Sequence, residues 1–125
     1  MEKQPEDFSR QSVHRRLLLE HGNSLLVCAV SEICCIHTDH GYTKVLLADG
    51  TWGMTAKSLS ELEGELPETQ FCRISRQTIV NIDDVRQVEE AEGRDYAVIL
   101  RNPWQDRKFP MTAEHRKDLI RKLDC

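Results

Sequence analysis

The sequence lacks several features that would place it in a membrane or in a common enzyme class. No apolar run approaches the roughly 20 residues needed to cross a bilayer. The first seven residues, Met1 to Asp7, are polar and acidic, which is unlike a signal peptide. No Gly-x-Ser-x-Gly pattern, phosphate-binding loop or His-Glu-x-x-His pattern occurs. We therefore expect a cytoplasmic protein without enzymatic activity.

Positive charge is also scarce. The 125 residues carry 17 Lys and Arg against 21 Asp and Glu, a formal net charge of −4. An excess of positive charge usually marks a nucleic-acid-binding protein, so the total counts against that function. Acidic residues are concentrated, however, at Glu61, Glu63, Glu65 and Glu68. Because phosphate binding needs a local positive face, the charge permits DNA binding without supporting it.

Five cysteines occur without a Cys-x-x-Cys pair, at positions 28, 34, 35, 72 and 125. In a cytoplasmic chain we expect them to be reduced. Cys34 and Cys35 should point to opposite faces of a strand. Cys28, Cys34, Cys35, His37 and His40 fall within 13 residues and are all zinc-ligand types. The spacing matches no common zinc finger, so core packing is favoured and a metal-binding β domain is a weaker alternative.

Short β-forming segments separated by turn signals dominate the chain. We predict residues 1–11 to be a disordered lead or the end of a linker, and residues 12–125 to form one domain. Asp49-Gly50 is the strongest hairpin signal. Predicted strands cover 13–19, 25–30, 33–38, 42–48, 51–55, 85–90, 95–100 and 107–111.

Two helices are predicted among these strands. Ser58-x-x-Glu61 is a capping box, in which each residue's side chain accepts from the other's backbone N–H, so a helix should begin at Ser58. Its apolar stripe would end before Pro67. Thr112 is predicted to cap a second helix over Ala113 to Leu123. Many strands with two short helices predict a mainly β domain of antiparallel sheets.

The segment Phe71-Cys-Arg-Ile-Ser-Arg-Gln-Thr-Ile-Val-Asn81 has a pattern of its own. Its apolar residues follow neither a two-residue nor a 3.6-residue period. A strand that breaks into a tight turn would explain this and would hold Arg73, Ser75, Arg76 and Gln77 outward on a rigid base. The alternative is an edge strand with two solvated arginines.

Three segments in order resemble the LytTR family of bacterial DNA-binding domains. The central Phe71–Asn81 segment resembles the family's core motif, and 57–67 (Lys-Ser-Leu-Ser-Glu-Leu-Glu-Gly-Glu-Leu-Pro) its helix. Residues 36–45 (Ile-His-Thr-Asp-His-Gly-Tyr-Thr-Lys-Val) resemble its hairpin. The similarity runs from about Arg15 to Leu123. It implies an elongated stack of small antiparallel sheets whose loops enter the DNA major groove.

The resemblance also implies contact residues in three loops. Thr43 and Lys44 match the hairpin loop, with His40 near DNA. Arg76 matches a base-reading position, with Ser75 and Gln77 beside it. Arg73 matches a basic position that we assign to phosphate.

The third loop departs from the family pattern. Thr112 fits its Ser position, but Ala113 replaces its arginine. His115 or Arg116, one turn further along the helix, could take over that contact.

Members of the family are typically bacterial response regulators of two-component systems. The resemblance therefore implies transcription regulation, promoter DNA with repeated half-sites, a homodimer on DNA, and a receiver domain with its sensor kinase if the chain continues. The competing hypothesis is a protein-interaction module of the same fold without DNA binding. The acidic total and Ala113 favour the module, whereas Lys44, Arg73 and Arg76 oppose it. No cofactor is expected.

Overall fold

Ten strands, two α-helices and two short 3-10 helices lie in the part of the chain that the computed structural model describes, residues 16–93 and 95–124. The predicted mainly β class, with antiparallel sheets and two helices, is confirmed. The lead at 1–11, the strand start at Val13 and the turn residue Arg94 lie outside the described residues. The elements are β1 Arg16–His21, β2 Ser24–Ala29, β3 Ile33–Asp39, β4 Tyr42–Leu47, β5 Trp52–Thr55, α1 Leu59–Glu65, β6 Phe71–Ser75, β7 Thr78–Asn81, β8 Val85–Glu90, β9 Tyr96–Leu100, β10 Lys108–Met111 and α2 Ala113–Leu123.

The strands form two antiparallel sheets. The larger sheet has seven strands in the order β2-β1-β5-β4-β3-β7-β6, and the smaller has three in the order β10-β9-β8. Strand β3 is central and pairs with both β4 and β7, with His37 opposite Thr78. This register places the β3–β4 turn and the β6–β7 turn side by side at one end of the larger sheet. Neither helix of the described chain is long and apolar enough to cross a membrane.

Two hydrophobic cores lie on opposite faces of the seven-stranded sheet. Side chains alternate along β3 and β7, so that the pair Ile36 and Ile79 joins the first core while Cys35 and Val80 join the second. Helix α1 closes the first core through residues such as Leu62. The three-stranded sheet and α2 close the second, whose large members are Val98, Leu100, Phe109, Met111 and Leu119.

Helix α1 begins as the capping box predicts. The Ser58 Oγ accepts from the Glu61 backbone N–H at 3.1 Å, and the Ser58 backbone N–H donates to Glu61 Oε1 at 3.0 Å. Hydrogen bonds from the Ser58 backbone N–H and from the Ser58 side chain hold the pKa of the Glu61 carboxyl below its usual range. The predicted cap at Thr112 is correct in position but not in chemistry. Its hydroxyl bonds the His115 Nδ1 at 2.6 Å and caps no backbone N–H of α2.

The prediction that Cys34 and Cys35 point to opposite faces is wrong. Both are buried in the second core, because a bulge between Ile33 and Cys35 interrupts the pairing of β3 with β4 and adds a residue to one strand. The thiols of Cys28, Cys34, Cys35 and Cys72 are all free. Burial raises the pKa of the Cys34 thiol to about 12 and that of Cys72 to about 11. These cysteines therefore act as small apolar residues at neutral pH.

Gly53 marks the place where β5 passes close to β1. A Cβ at this position would lie 2.6 Å from the Leu19 Cβ and 3.1 Å from the Glu20 carbonyl oxygen. Gly53→Ala is therefore expected to lower the free energy of unfolding by about 1–3 kcal/mol through overpacking. Urea-induced unfolding measures the change.

Gly64 supplies the matched control. It lies inside α1, and an added Cβ would meet no atom within 4 Å. Gly64→Ala is expected to raise the free energy of unfolding by up to about 1 kcal/mol, because alanine is the better helix former. Similar changes of the same sign in both variants would contradict the packing at Gly53.

Candidate nucleic-acid interface

One end of the seven-stranded sheet gathers three separate parts of the chain. The Thr38 backbone N–H donates to the Gln77 carbonyl at 2.8 Å, which ties the end of β3 to the β6–β7 turn. The Thr112 backbone N–H donates to the Ile74 carbonyl at 3.1 Å, which ties the start of α2 to β6. Together these turns form the loop edge, which consists of His40-Gly41, Arg76-Gln77 and Thr112-Ala113. All three loops of the sequence hypothesis thus meet in one place.

The β6–β7 turn is tight and internally braced, as the irregular apolar period predicts. Strand β6 carries a bulge between Arg73 and Ser75, and the chain reverses at Arg76 and Gln77. The Ser75 Oγ accepts from the Gln77 backbone N–H at 3.1 Å. Arg76 and Gln77 are exposed. Among residues 16–93 and 95–124, the Arg76 guanidinium has no hydrogen-bond or ion-pair partner.

The outward direction expected for Arg73 and Ser75 is corrected by the structure. Ser75 is buried, with 6% of its surface exposed. The Arg73 side chain is 19% exposed, and all three of its nitrogens have partners. Strand β6 is an edge strand, but its Arg73 is not solvated, and the solvated Arg76 lies in the turn beyond it. The alternative of an edge strand with two solvated arginines therefore describes it only in part.

In the β3–β4 hairpin the predicted residues have very different exposure. His40 lies in the turn at a positive φ of 51°, and its side chain is 89% exposed with Nδ1 2.7 Å from Asp39 Oδ1. Thr43 is not in the loop as expected. It lies within β4, is 5% exposed, and its Oγ1 is 3.5 Å from that of Thr38. Lys44 is half-buried, with Nζ 5.1 Å from the centre of the Trp52 ring.

At the junction of β10 and α2, Thr112 and Ala113 are both exposed. Arg116 follows one turn later, with its guanidinium carbon 4.9 Å from the centre of the Tyr96 ring. The His115 Nδ1 is occupied by the Thr112 hydroxyl. Of the two residues considered in place of the missing arginine, Arg116 therefore keeps its hydrogen-bond donors available within the part of the chain that the structure describes.

A family comparison agrees with this geometry. The model of the LytTr DNA-binding domain matches residues 23–124. The chain belongs to the LytTR family. This LytTR domain is also 23% identical over 108 residues to the sensory transduction protein LytT of Bacillus subtilis (strain 168). That match covers 86% of this chain and 43% of LytT, so the chain spans less than half the length of this relative.

A solved structure shows the same fold. It is described as the LytTr DNA-binding domain of a methyl-accepting/DNA response regulator from Bacillus cereus. It superposes on this LytTR domain with a TM-score of 0.77 and 18% sequence identity, covering 89% of this chain and 98% of that one.

Arg107 is a basic residue of this LytTR domain that the sequence analysis missed. It is exposed just before β10, with its guanidinium carbon 5.3 Å from the centre of the Phe109 ring. The Phe109 ring in turn lies 5.6 Å from the His37 ring. Burial lowers the pKa of His37, and the charges of Arg107 and Lys44 lower it further. Arg107 and Lys44 therefore flank one histidine near the loop edge. The only sequence signal is the placement of Arg107 two residues before a buried aromatic residue.

Three cations among residues 16–93 and 95–124 lie over aromatic rings: Lys44 over Trp52, Arg107 over Phe109, and Arg116 over Tyr96. A ring orients a cation without cancelling its charge, whereas a carboxylate partner cancels it. Arginines and lysines held in this way keep a positive charge that can attract phosphate.

The metal alternative has no support in the positions of its residues. Cys28 lies in the first core, whereas Cys34 and Cys35 lie in the second, on the other face of the sheet. His37 bonds the Thr78 hydroxyl at 2.8 Å, and His40 is in an exposed turn. No group of three or more His, Cys, Asp or Glu side chains in the described ranges could hold a metal ion.

Proposed function

We propose that this LytTR domain binds duplex DNA in a sequence-specific way and regulates transcription, with the turns of the loop edge entering the major groove. The observation that carries the proposal is Arg76. Its guanidinium is exposed and unpaired within the described chain, on a turn fixed by the Ser75 hydroxyl and by Thr38 of β3. An arginine fork can donate to both O6 and N7 of guanine, which is the commonest specific contact in the major groove.

Other basic and polar residues supply the remaining contacts in this proposal. Lys44, Arg107 and Arg116 keep their charge over aromatic rings and would bind backbone phosphates on either side of Arg76. His40, Gln77 and Thr112 line the loop edge and offer polar groups. Thr43 and Ser75 lie behind this surface and would act by supporting the strand and the turn.

The family supports a wider setting for the domain. Because LytT is more than twice as long as the matched region, the remainder of such a protein can carry a further domain. We propose that this domain acts in the cytoplasm, binds repeated half-sites in promoters as a homodimer, and takes its signal from a receiver domain and a sensor kinase. When one domain of such a dimer binds its half-site, the second domain is held at a high effective concentration near the adjacent half-site, so the dimer binds more tightly than a single domain.

Selection from a random duplex library at low salt tests the proposal. We expect enrichment of one short motif. The logarithm of the association constant for that motif should fall linearly with the logarithm of salt concentration, by roughly 0.9 per phosphate contacted. Binding without a preferred motif would contradict the sequence-specific part of the proposal. Absence of any duplex binding at low salt would contradict the proposal for this chain.

A second candidate function is a protein-interaction module of the same fold. One observation favours it. Leu18, Leu25 and Val27 are 57%, 62% and 66% exposed on neighbouring strands, and β2 is a sheet edge that carries no charged residue. Exposed apolar strips of this kind often mark interaction sites. The same salt series separates the two functions, because a module without phosphate contacts would show no binding to duplex DNA at any salt concentration.

A further inference from the structure

Arg73 makes contacts that differ from those expected of a phosphate-binding arginine. Its Nε donates to the Ser75 carbonyl at 2.8 Å, and its Nη2 donates to the Arg76 carbonyl at 2.7 Å. Its Nη1 donates to Glu63 Oε1 of α1 at 2.9 Å. These bonds use three of the five guanidinium N–H groups, and the Arg73 side chain is only 19% exposed, so a DNA phosphate would meet a side chain that is already held on three sides.

We propose that Arg73 is a positioning residue, which fixes the backbone of the β6–β7 turn and so aims Arg76, and that it does not contact phosphate. This inference rests on the proposed function, because it assigns the turn that Arg76 occupies to DNA reading. It concerns how the turn is held and not which DNA is bound.

The backbone carbonyls of Ser75 and Arg76 explain why the turn needs such a residue. Ser75 and Arg76 follow the bulge in β6, where the regular ladder with β7 is interrupted. The Ser75 carbonyl belongs to a buried residue to which water has limited access, and the Arg76 carbonyl belongs to the exposed turn, so a donor that reaches both ties the turn to the strand. The planar guanidinium presents several N–H groups in a fixed fork, so one side chain reaches both carbonyls at once. A lysine ammonium is a compact point charge without this fork, so a lysine would not replace Arg73 in this role.

Glu63 of α1 orients the Arg73 guanidinium by accepting a hydrogen bond from it. The helix itself is anchored in the first core by Leu59 and Leu62. The Glu63 carboxylate sits 2.9 Å from Arg73 Nη1 and cancels much of the positive charge that a phosphate would feel. Arg76 has no carboxylate partner in the described chain, so the two arginines of the motif have different roles. Arg73 holds the turn, and Arg76 faces outward.

The decisive experiment measures sequence discrimination and salt dependence together in four variants. Binding of the selected duplex and of a duplex with one altered base pair is followed across a salt series for Arg73→Ala, Arg73→Lys, Glu63→Gln and the control Arg86→Ala. Arg86 is an exposed arginine on β8, an edge strand of the other sheet. Its replacement removes the same charge as Arg73→Ala.

For a positioning residue we expect Arg73→Ala and Arg73→Lys each to lose about fivefold or more in discrimination between the two duplexes, because Arg76 is no longer held in register. The salt slope should differ from that of the wild type by less than half of the roughly 0.9 that one phosphate contact contributes. Glu63→Gln should also lower discrimination, although it removes a negative charge. A phosphate contact predicts the reverse. Arg73→Ala would then reduce the salt slope by about 0.9 and leave discrimination unchanged. Arg73→Lys would retain binding, and Glu63→Gln would strengthen it. That result would overturn the proposal.

Amide hydrogen exchange tests the positioning role without DNA. The Gln77 N–H bonds the Ser75 hydroxyl, and the Thr38 N–H bonds the Gln77 carbonyl. In Arg73→Ala and Arg73→Lys both amides should exchange about tenfold faster, because the turn opens locally, while the Leu66 amide at the end of α1 keeps its rate. Unchanged exchange at Gln77 and Thr38 would overturn the positioning role. If the wild type binds no duplex but amide exchange is faster in these variants, the proposed DNA binding is contradicted, while the role of Arg73 in holding the turn is supported.

Discussion

Arg76→Ala is expected to weaken binding to the selected duplex by about 1–3 kcal/mol, or roughly 5- to 150-fold in the dissociation constant. The cause is the loss of both hydrogen bonds from the guanidinium fork to one guanine. Because phosphate contacts from other residues remain, binding to duplexes of unrelated sequence should fall much less. Titration of both duplexes at one fixed salt concentration measures the difference.

Two further variants distinguish base contact from charge at this position. Arg76→Lys keeps the positive charge but not the fork, so its discrimination should fall close to that of Arg76→Ala. Arg86→Ala removes an exposed arginine from β8 and should leave discrimination unchanged. Equal losses on the selected and unrelated duplexes in Arg76→Ala would show a phosphate contact at Arg76 and would move base reading elsewhere on the loop edge.

Phe109→Ala is expected to cost the largest share of the fold's stability, about 3–5 kcal/mol in the free energy of unfolding. Phe109 is 2% exposed in the second core, where β10 of the smaller sheet meets the face of the larger one. Its ring lies 5.6 Å from that of His37 in β3, so the cavity would open between the two sheets. Denaturant unfolding followed by tryptophan fluorescence gives the change.

The matched control for Phe109 is Leu25→Ala. Leu25 is apolar like Phe109, but its side chain lies 62% exposed on the edge strand β2. Its removal should change the free energy of unfolding by no more than about 0.5 kcal/mol. A loss at Leu25 comparable to that at Phe109 would mean that the β2 surface is covered, for example by a second copy of the chain.

Local elements were predictable because their signals lie within a few residues of one another. The capping box is closed by Ser58 and Glu61, three positions apart, and both of its hydrogen bonds are present. Asp49-Gly50 turns the chain through contacts between Asp49 and Thr51. The Thr112 cap failed because two local partners competed for its hydroxyl, and the His115 ring was preferred to the backbone.

The site was predictable in its residue types but not in the role of each residue. Arg73 and Arg76 are three positions apart and are indistinguishable as arginines. The structure separates them because Glu63, ten positions before Arg73, lies beside one and not the other. The predicted strand 42–48 already contained Thr43, whereas the resemblance assigned it to the hairpin loop. Only the pairing of β4 with β3 shows that Thr43 is a buried strand residue.

The sequence by itself determined the family, the mainly β class, most turns and the start of α1, because these depend on short-range patterns and on three motifs in a fixed order. Only the tertiary structure decided which residues face outward. Bulges at Cys34 and beyond Arg73 reverse the expected alternation of side chains, and the register of β3 with β7 brings distant turns together. The free charge of Arg76, the bound charge of Arg73 and the ring-held Arg107 all result from contacts between elements. Such contacts depend on sheet register and core packing, which no short segment of the chain encodes.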